Sequence, residues 1–193
     1  MKTRLSKPLA IATAIAGIVL LPACSSDIET ADTDLATKED STQTVAALLS
    51  DLPELSKLNS AMSAAQLGSV FDGPASYTLL APNDAAFEAL GDREHVLTSE
   101  EQRPVLVALL RNHMLPGHLT PENITDAIKS QGGTVSMTTL GGGTVTFSMD
   151  KDSLVISNGD GSTARLAGSA SAATNGVIIP MDAVLIPEAA PGA

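Results

Sequence analysis

Two segments almost a hundred residues apart constrain this chain more than any other feature: TLLAPNDAAF at Thr78–Phe87 and NGVIIPMDAVLIP at Asn175–Pro187. The first reads as a short apolar strand running into Pro82. Asn83 and Asp84 follow as helix N-cap candidates, and Ala86, Phe87 and Leu90 then share one helical face. That is a strand-to-helix junction. The second segment opens with an Asn-Gly turn signal at Asn175–Gly176 and continues in β-branched and aliphatic residues, suited to pairing with the first strand inside a sheet.

In this arrangement the two segments resemble the signature segments of the fasciclin (FAS1) domain, and the resemblance runs from about Thr44 to Pro187. It implies an α+β fold, a β-wedge of two sheets with short helices packed along one edge and the signature segments side by side at its centre. It also implies binding and adhesion without catalysis. The runner-up is a carrier that places an apolar small molecule, a lipid or carotenoid, in a groove of the wedge.

The first 23 residues are of another kind. Lys2, Arg4 and Lys7 precede an apolar run from Leu9 to Leu21, followed by Pro22, Ala23 and Cys24. A bare membrane span needs roughly 20 apolar residues, so the run reads as a secretion signal, 1–23. LLPAC resembles the bacterial lipobox, which implies cleavage before Cys24 and acylation of that residue. Several acyl chains give stable attachment, since each buried methylene contributes about 0.8 kcal/mol. Ser25 resembles the usual outer-membrane sorting choice, so the expected address is the outer membrane, facing the periplasm or the surface.

Cys24 is the only cysteine, which excludes disulfides within the chain and cysteine-rich metal sites. Loss of the leader's three cations leaves 8 Lys and Arg against 22 Asp and Glu, a formal balance of −14. Nucleic acid is therefore not an expected partner. One tyrosine, three phenylalanines and no tryptophan supply little for stacking on sugars or bases.

Residues 24–42 read as the acylated cysteine and a polar, acidic tether. Flexible, it would hold the domain roughly 25 Å from the lipid. A domain over 43–188 follows, then a disordered tail, 189–193. Val45, Leu48, Leu49 and Leu52 fall at helical spacing, and Leu55, Leu58, Met62 and Ala65 repeat the pattern after Pro53. Thr98 and Glu101 suggest a capping box, and Leu106, Leu109, Leu110 and His113 share a face. Thr120 and Pro121 open another helix that Gly132 and Gly133 stop. Short strands are expected at Val135–Leu140, Thr144–Met149, Leu154–Ser157, Thr163–Ala170 and Val177–Ile186, with a hairpin at Gly141–Gly143. Helices in the first half and a meander in the second argue for α+β.

No catalytic constellation assembles. His95, His113 and His118 lack zinc-protease spacing, and no Gly-x-Ser-x-Gly elbow occurs. Asp150, Asp152 and Asp160 hint at calcium, but Leu154 stands where an EF-hand needs a third oxygen, so turns are expected there. No cofactor or metal is expected. LLRNHMLPG at Leu109–Gly117 resembles the family's helix-end segment, with Asn112 where a tyrosine is usual. His113 is either a helix-end residue bonded to a backbone carbonyl or a contact residue. Ile179 stands where the family commonly has histidine, and Asp182 keeps its acidic position, to cap amides or to contact a partner. The candidate binding residues are Asn83, Asp84, Phe87, His113, Asn175, Ile178 and Asp182. The expected partners are the membrane, through Cys24, and an envelope, matrix or cell-surface macromolecule.

Overall fold

The computed structural model describes residues 35–40, 42–73 and 75–186. The leader, Cys24 and the tail after Pro187 lie outside them. The fold is α+β: two sheets and a set of short helices, as expected from the order of the elements.

The central sheet has five strands. β1 (Thr37–Glu39) is followed by helices α1 (Val45–Asp51) and α2 (Ser56–Ala64), then by β2 (Tyr77–Pro82). Helices α3 (Asp84–Glu88), α4 (Asp92–Leu97) and α5 (Arg103–Asn112) lead to β3 (Met114–Pro116) and α6 (Pro121–Gln131). The second sheet is a meander of β4 (Thr134–Thr138), β5 (Thr144–Asp150), β6 (Ser153–Asn158) and β7 (Thr163–Arg165). The chain then returns to the first sheet as β8 (Ala170–Ala173) and β9 (Gly176–Met181), completing the order β1-β8-β9-β2-β3.

The two signature segments are neighbours. β2 and β9 pair in parallel over six positions, from Tyr77 opposite Gly176 to Pro82 opposite Met181. Every residue of β9 is buried, the mark of a strand covered on both faces. Period-2 alternation explains it: Leu79, Ala81 and Ile178 join the apolar core under the helices. Leu80, Val177, Ile179 and Met181 join a second core shared with the four-stranded sheet and α6. Each fully buried Leu or Ile stabilises the fold by about 1.5–3 kcal/mol. Pro180 is tolerated in so central a strand because β8 pairs with β9 only as far as Ile178.

Local chemistry sets the helix ends. The Thr44 hydroxyl accepts from Ala47 N, Thr120 and Asn123 form a capping box, and Gly132 ends α6 in the left-handed conformation at φ 85°.

Several expectations need correction. Thr37–Glu39, read as tether, pairs in parallel with β8, and Glu122 takes the Thr37 N–H and hydroxyl at 3.0 and 2.8 Å. Thr98 and Glu101 form no capping box, since the Thr98 hydroxyl instead bonds Glu94 O at 2.9 Å at the end of α4. The stretch Thr163–Ala170 is not one strand: Gly168, at φ 95°, helps turn the chain from one sheet into the other. The last strand stops at Met181, because Asp182 exchanges backbone and side-chain bonds with Arg165 and bends the chain away. The helix-end segment contributes a strand, β3, paired with β2.

Candidate functional site

The signature polar residues are consumed by the fold. Asn83 Oδ1 accepts from Ala86 N at 2.8 Å and caps α3. Its neighbour Asp84 caps a different helix: Oδ1 accepts from Lys57 N at 2.9 Å and Oδ2 from the Ser56 hydroxyl at 2.6 Å, fixing the start of α2. Phe87 and Ile178 lie in the core beneath the helices. Lys57 also donates to Glu94 at 2.8 Å, a contact that holds its ammonium above its usual pKa.

Asn175 and Gly176 are not the two central residues of a turn. Thr174 and Asn175 make the β8–β9 turn, and Gly176 is already the first residue of β9. The Asn175 side chain bridges two distant segments, accepting from Val45 N at 2.8 Å and donating to Phe71 O. A Cβ on Gly176 would run into the carbonyl of Tyr77, so glycine is required there by the close approach of β2.

His113 ends α5 and is 1% exposed. Nδ1 lies 2.8 Å from Leu109 O, and Nε2 accepts from Leu185 N at 3.0 Å, which assigns the neutral imidazole with the proton on Nδ1. Burial lowers its pKa to about 4, with the Leu109 carbonyl opposing that shift. Neither nitrogen faces solvent. Asn112, beside it, is a fold residue that sequence reasoning undervalued: Oδ1 accepts from the Thr139 hydroxyl at 2.8 Å and from Gly143 N at 3.3 Å. The three-glycine hairpin is thereby seated on the end of α5.

Asp182 is exposed. Its Oδ1 accepts from Arg165 N at 2.7 Å, and its own N–H donates to Arg165 O at 3.0 Å. The Arg165 guanidinium reaches Asp150 Oδ2 at 2.6 Å. These groups edge an open cleft of about 380 Å³ with Ser148, Val155 and Thr163. Asp150 and Asp182 are thus linked through one residue, Arg165, the first to its guanidinium and the second to its backbone, which sequence reasoning missed because Arg165 is a lone charge in a polar run. Among the described residues no three His, Cys, Asp or Glu side chains gather as metal ligands. A second cleft, of about 280 Å³, lies between Asn112, Thr139, Val145, Asn158 and Leu185. His95 and His118 are exposed and apart from both.

The candidate binding residues therefore do not converge on one surface. What the structure presents outward is the far face of the four-stranded sheet. Cross-strand register sets Ser136, Thr146, Ser157 and Thr163 in a single row across all four strands. Thr134, Ser148, Val155 and Arg165 form the next row.

Comparison with known proteins agrees with this architecture. The family model described as Fasciclin domain matches residues 53–187. Transforming growth factor-beta-induced protein ig-h3 of Sus scrofa is 33% identical over 135 residues, covering 69% of this chain and 18% of that protein. The solved FAS1 domain pair of the insect cell adhesion molecule Fasciclin I superposes with a TM-score of 0.67 at 15% identity. That match covers 76% of this chain and about half, 51%, of the other.

Proposed function

This chain belongs to the fasciclin family, and on that premise we propose that it is a non-catalytic, lipid-anchored protein of the bacterial cell envelope whose domain presents a binding face for adhesion or matrix contacts. The observation that carries this reading is the disposition of the polar side chains. Among the described residues, the side chains of Asn83, Asp84, His113 and Asn175 are spent on backbone groups of the fold. The outward sheet face, by contrast, is broad, hydroxylated and almost free of charge, with Arg165 and Asp150 paired at one margin. Such a face suits contact with a macromolecular surface, where many modest hydrogen bonds add.

The carrier reading has less support. Four clefts among the described residues, about 280, 350, 360 and 380 Å³, fall near or below the lower end of ligand pockets, about 300–1,000 Å³, and mix polar with apolar walls. Lipid anchoring is supported by the LLPAC string and its cationic, apolar approach.

The test uses the full chain in its native envelope. Membrane association should be lost with Cys24→Ser. Capture of envelope macromolecules by the wild type should weaken at least tenfold when Thr146→Lys places a charge in the middle of the hydroxyl row. Undiminished palmitate labelling of Cys24→Ser would refute the anchor. Capture indifferent to Thr146→Lys would refute the face.

A further inference from the structure

Edge strands expose unpaired N–H and C=O groups, and natural sheets obstruct them. This domain has four such edges. At β1, Lys38 and Glu39 place charges on the rim and Glu122 occupies the Thr37 amide. At β3, Leu140 N bonds Met114 O at 2.8 Å, and Pro116 has no N–H to offer. At β7, Asp182 takes the Arg165 amide and covers its carbonyl.

The fourth edge, β4, has none of these devices. Thr134–Thr138 reads TVSMT, with no charge, no proline and no bulge in its register with β5. Among the described residues, no backbone bond reaches it from any element but β5. The phase of the ladder is set by Thr139 N, which bonds Gly143 O at 2.8 Å across the hairpin. Residues alternate, so Val135 and Met137 turn their backbone groups to β5, while Thr134, Ser136 and Thr138 turn theirs outward.

We propose that β4 is an open edge to which a second copy of this chain adds, antiparallel about a two-fold axis through Ser136, making one continuous eight-stranded sheet. The strand matches itself under that operation. Ser136 faces Ser136 of the other copy and Thr134 faces Thr138, so the hydroxyl face continues across the join. Val135 faces Met137, so the apolar side continues too. Three outward residues on each copy give about six backbone hydrogen bonds. Such an interface is isologous and closes at two. Charge selects the same place: a chain of formal net charge −11 repels its own copies, and the edge brings no carboxylate of its own into the contact.

The proposal is independent of the lipid anchor and of the face's macromolecular partner. Its test is sedimentation of the full chain in detergent over a concentration series. A dimer that tightens with added salt is expected, since screening weakens the repulsion. Ser136→Lys, at an exposed position, should abolish it by setting like charges opposite each other, and mixing Ser136→Lys with Ser136→Glu protein should restore a heterodimer. In a Cys24→Ser background, Ser136→Cys should cross-link to itself, whereas Thr134→Cys should cross-link only when mixed with Thr138→Cys. A chain that stays monomeric throughout overturns the proposal. So does a dimer that survives Ser136→Lys, or an edge found occupied by a strand of another protein.

Discussion

The imidazole of His113 joins two chain segments 72 residues apart, accepting the Leu185 N–H at 3.0 Å while its Nδ1 side bonds Leu109 O at 2.8 Å. The contact ties the end of α5 to the stretch after β9. It works only with the neutral ring, because a protonated Nε2 would point a second donor at the Leu185 amide.

Stability should therefore fall in mild acid. The folded pKa, about 4, lies below the ordinary value of 6.5 that the unfolded chain recovers, so the unfolded state binds the extra proton between those limits. The histidine contribution is complete above pH 6.5 and is lost as pH falls toward 4, amounting to about 3 kcal/mol. Urea midpoints measured across that window check this. A His113→Gln chain should show a much flatter profile through the same range.

His113→Ala at neutral pH should cost about 3 kcal/mol, from the cavity and from two backbone groups left without partners. Thermal melting checks it. An unchanged melting temperature would remove His113 from the structural role.

Gly141→Ala should destabilise the domain by about 2 kcal/mol, because the added Cβ would collide with the Asn112 carboxamide and approach Asn112 N to 3.1 Å. Combined with Asn112→Ala, the loss should be clearly less than the sum of the single changes, since the carboxamide is then gone and only the 3.1 Å approach to the backbone N remains. A double-mutant cycle by chemical denaturation measures the coupling.

At the β8–β9 turn, Asn175→Ala should cost about 2 kcal/mol by stranding Val45 N and Phe71 O. Gly176→Ala should cost more, because the Tyr77 carbonyl that its Cβ would strike belongs to a paired central strand and cannot withdraw. Soluble yield and melting temperature should rank wild type, Asn175→Ala, Gly176→Ala in falling order.

Glu122→Ala should loosen β1 without unfolding the rest. Hydrogen exchange at Lys38 and Asp40, whose amides face β8, should quicken, while β2 and β9 amides keep their protection.

The elements legible in the sequence were those whose signal is local. The caps at Asn83 and Thr120, the stop at Gly132 and the apolar periods of α1 and α2 each depend on residues within a turn or two. The β-branched and aliphatic run of β9 announced a strand inside a sheet, and the likeness of two segments to a family signature placed it beside β2. The site was less legible. Asn175, Asp84 and His113 were visible as polar residues in telling places, but the amides they satisfy lie 130, 27 and 72 positions away. Nothing in the neighbouring sequence names those partners.

What the sequence determined alone was therefore the kind of element at most positions and the family. Only the tertiary structure decided that β1 is sheet and not tether. Three residues with two charged side chains carry no periodicity, and their strand exists because β8 and Glu122 offer partners for their backbone. Tertiary structure likewise decided which polar residues are spent inside and which face outward. Hydrogen-bond satisfaction is a property of the whole packed arrangement, and a group's neighbours in space are fixed by the pairing of sheets and not by order along the chain.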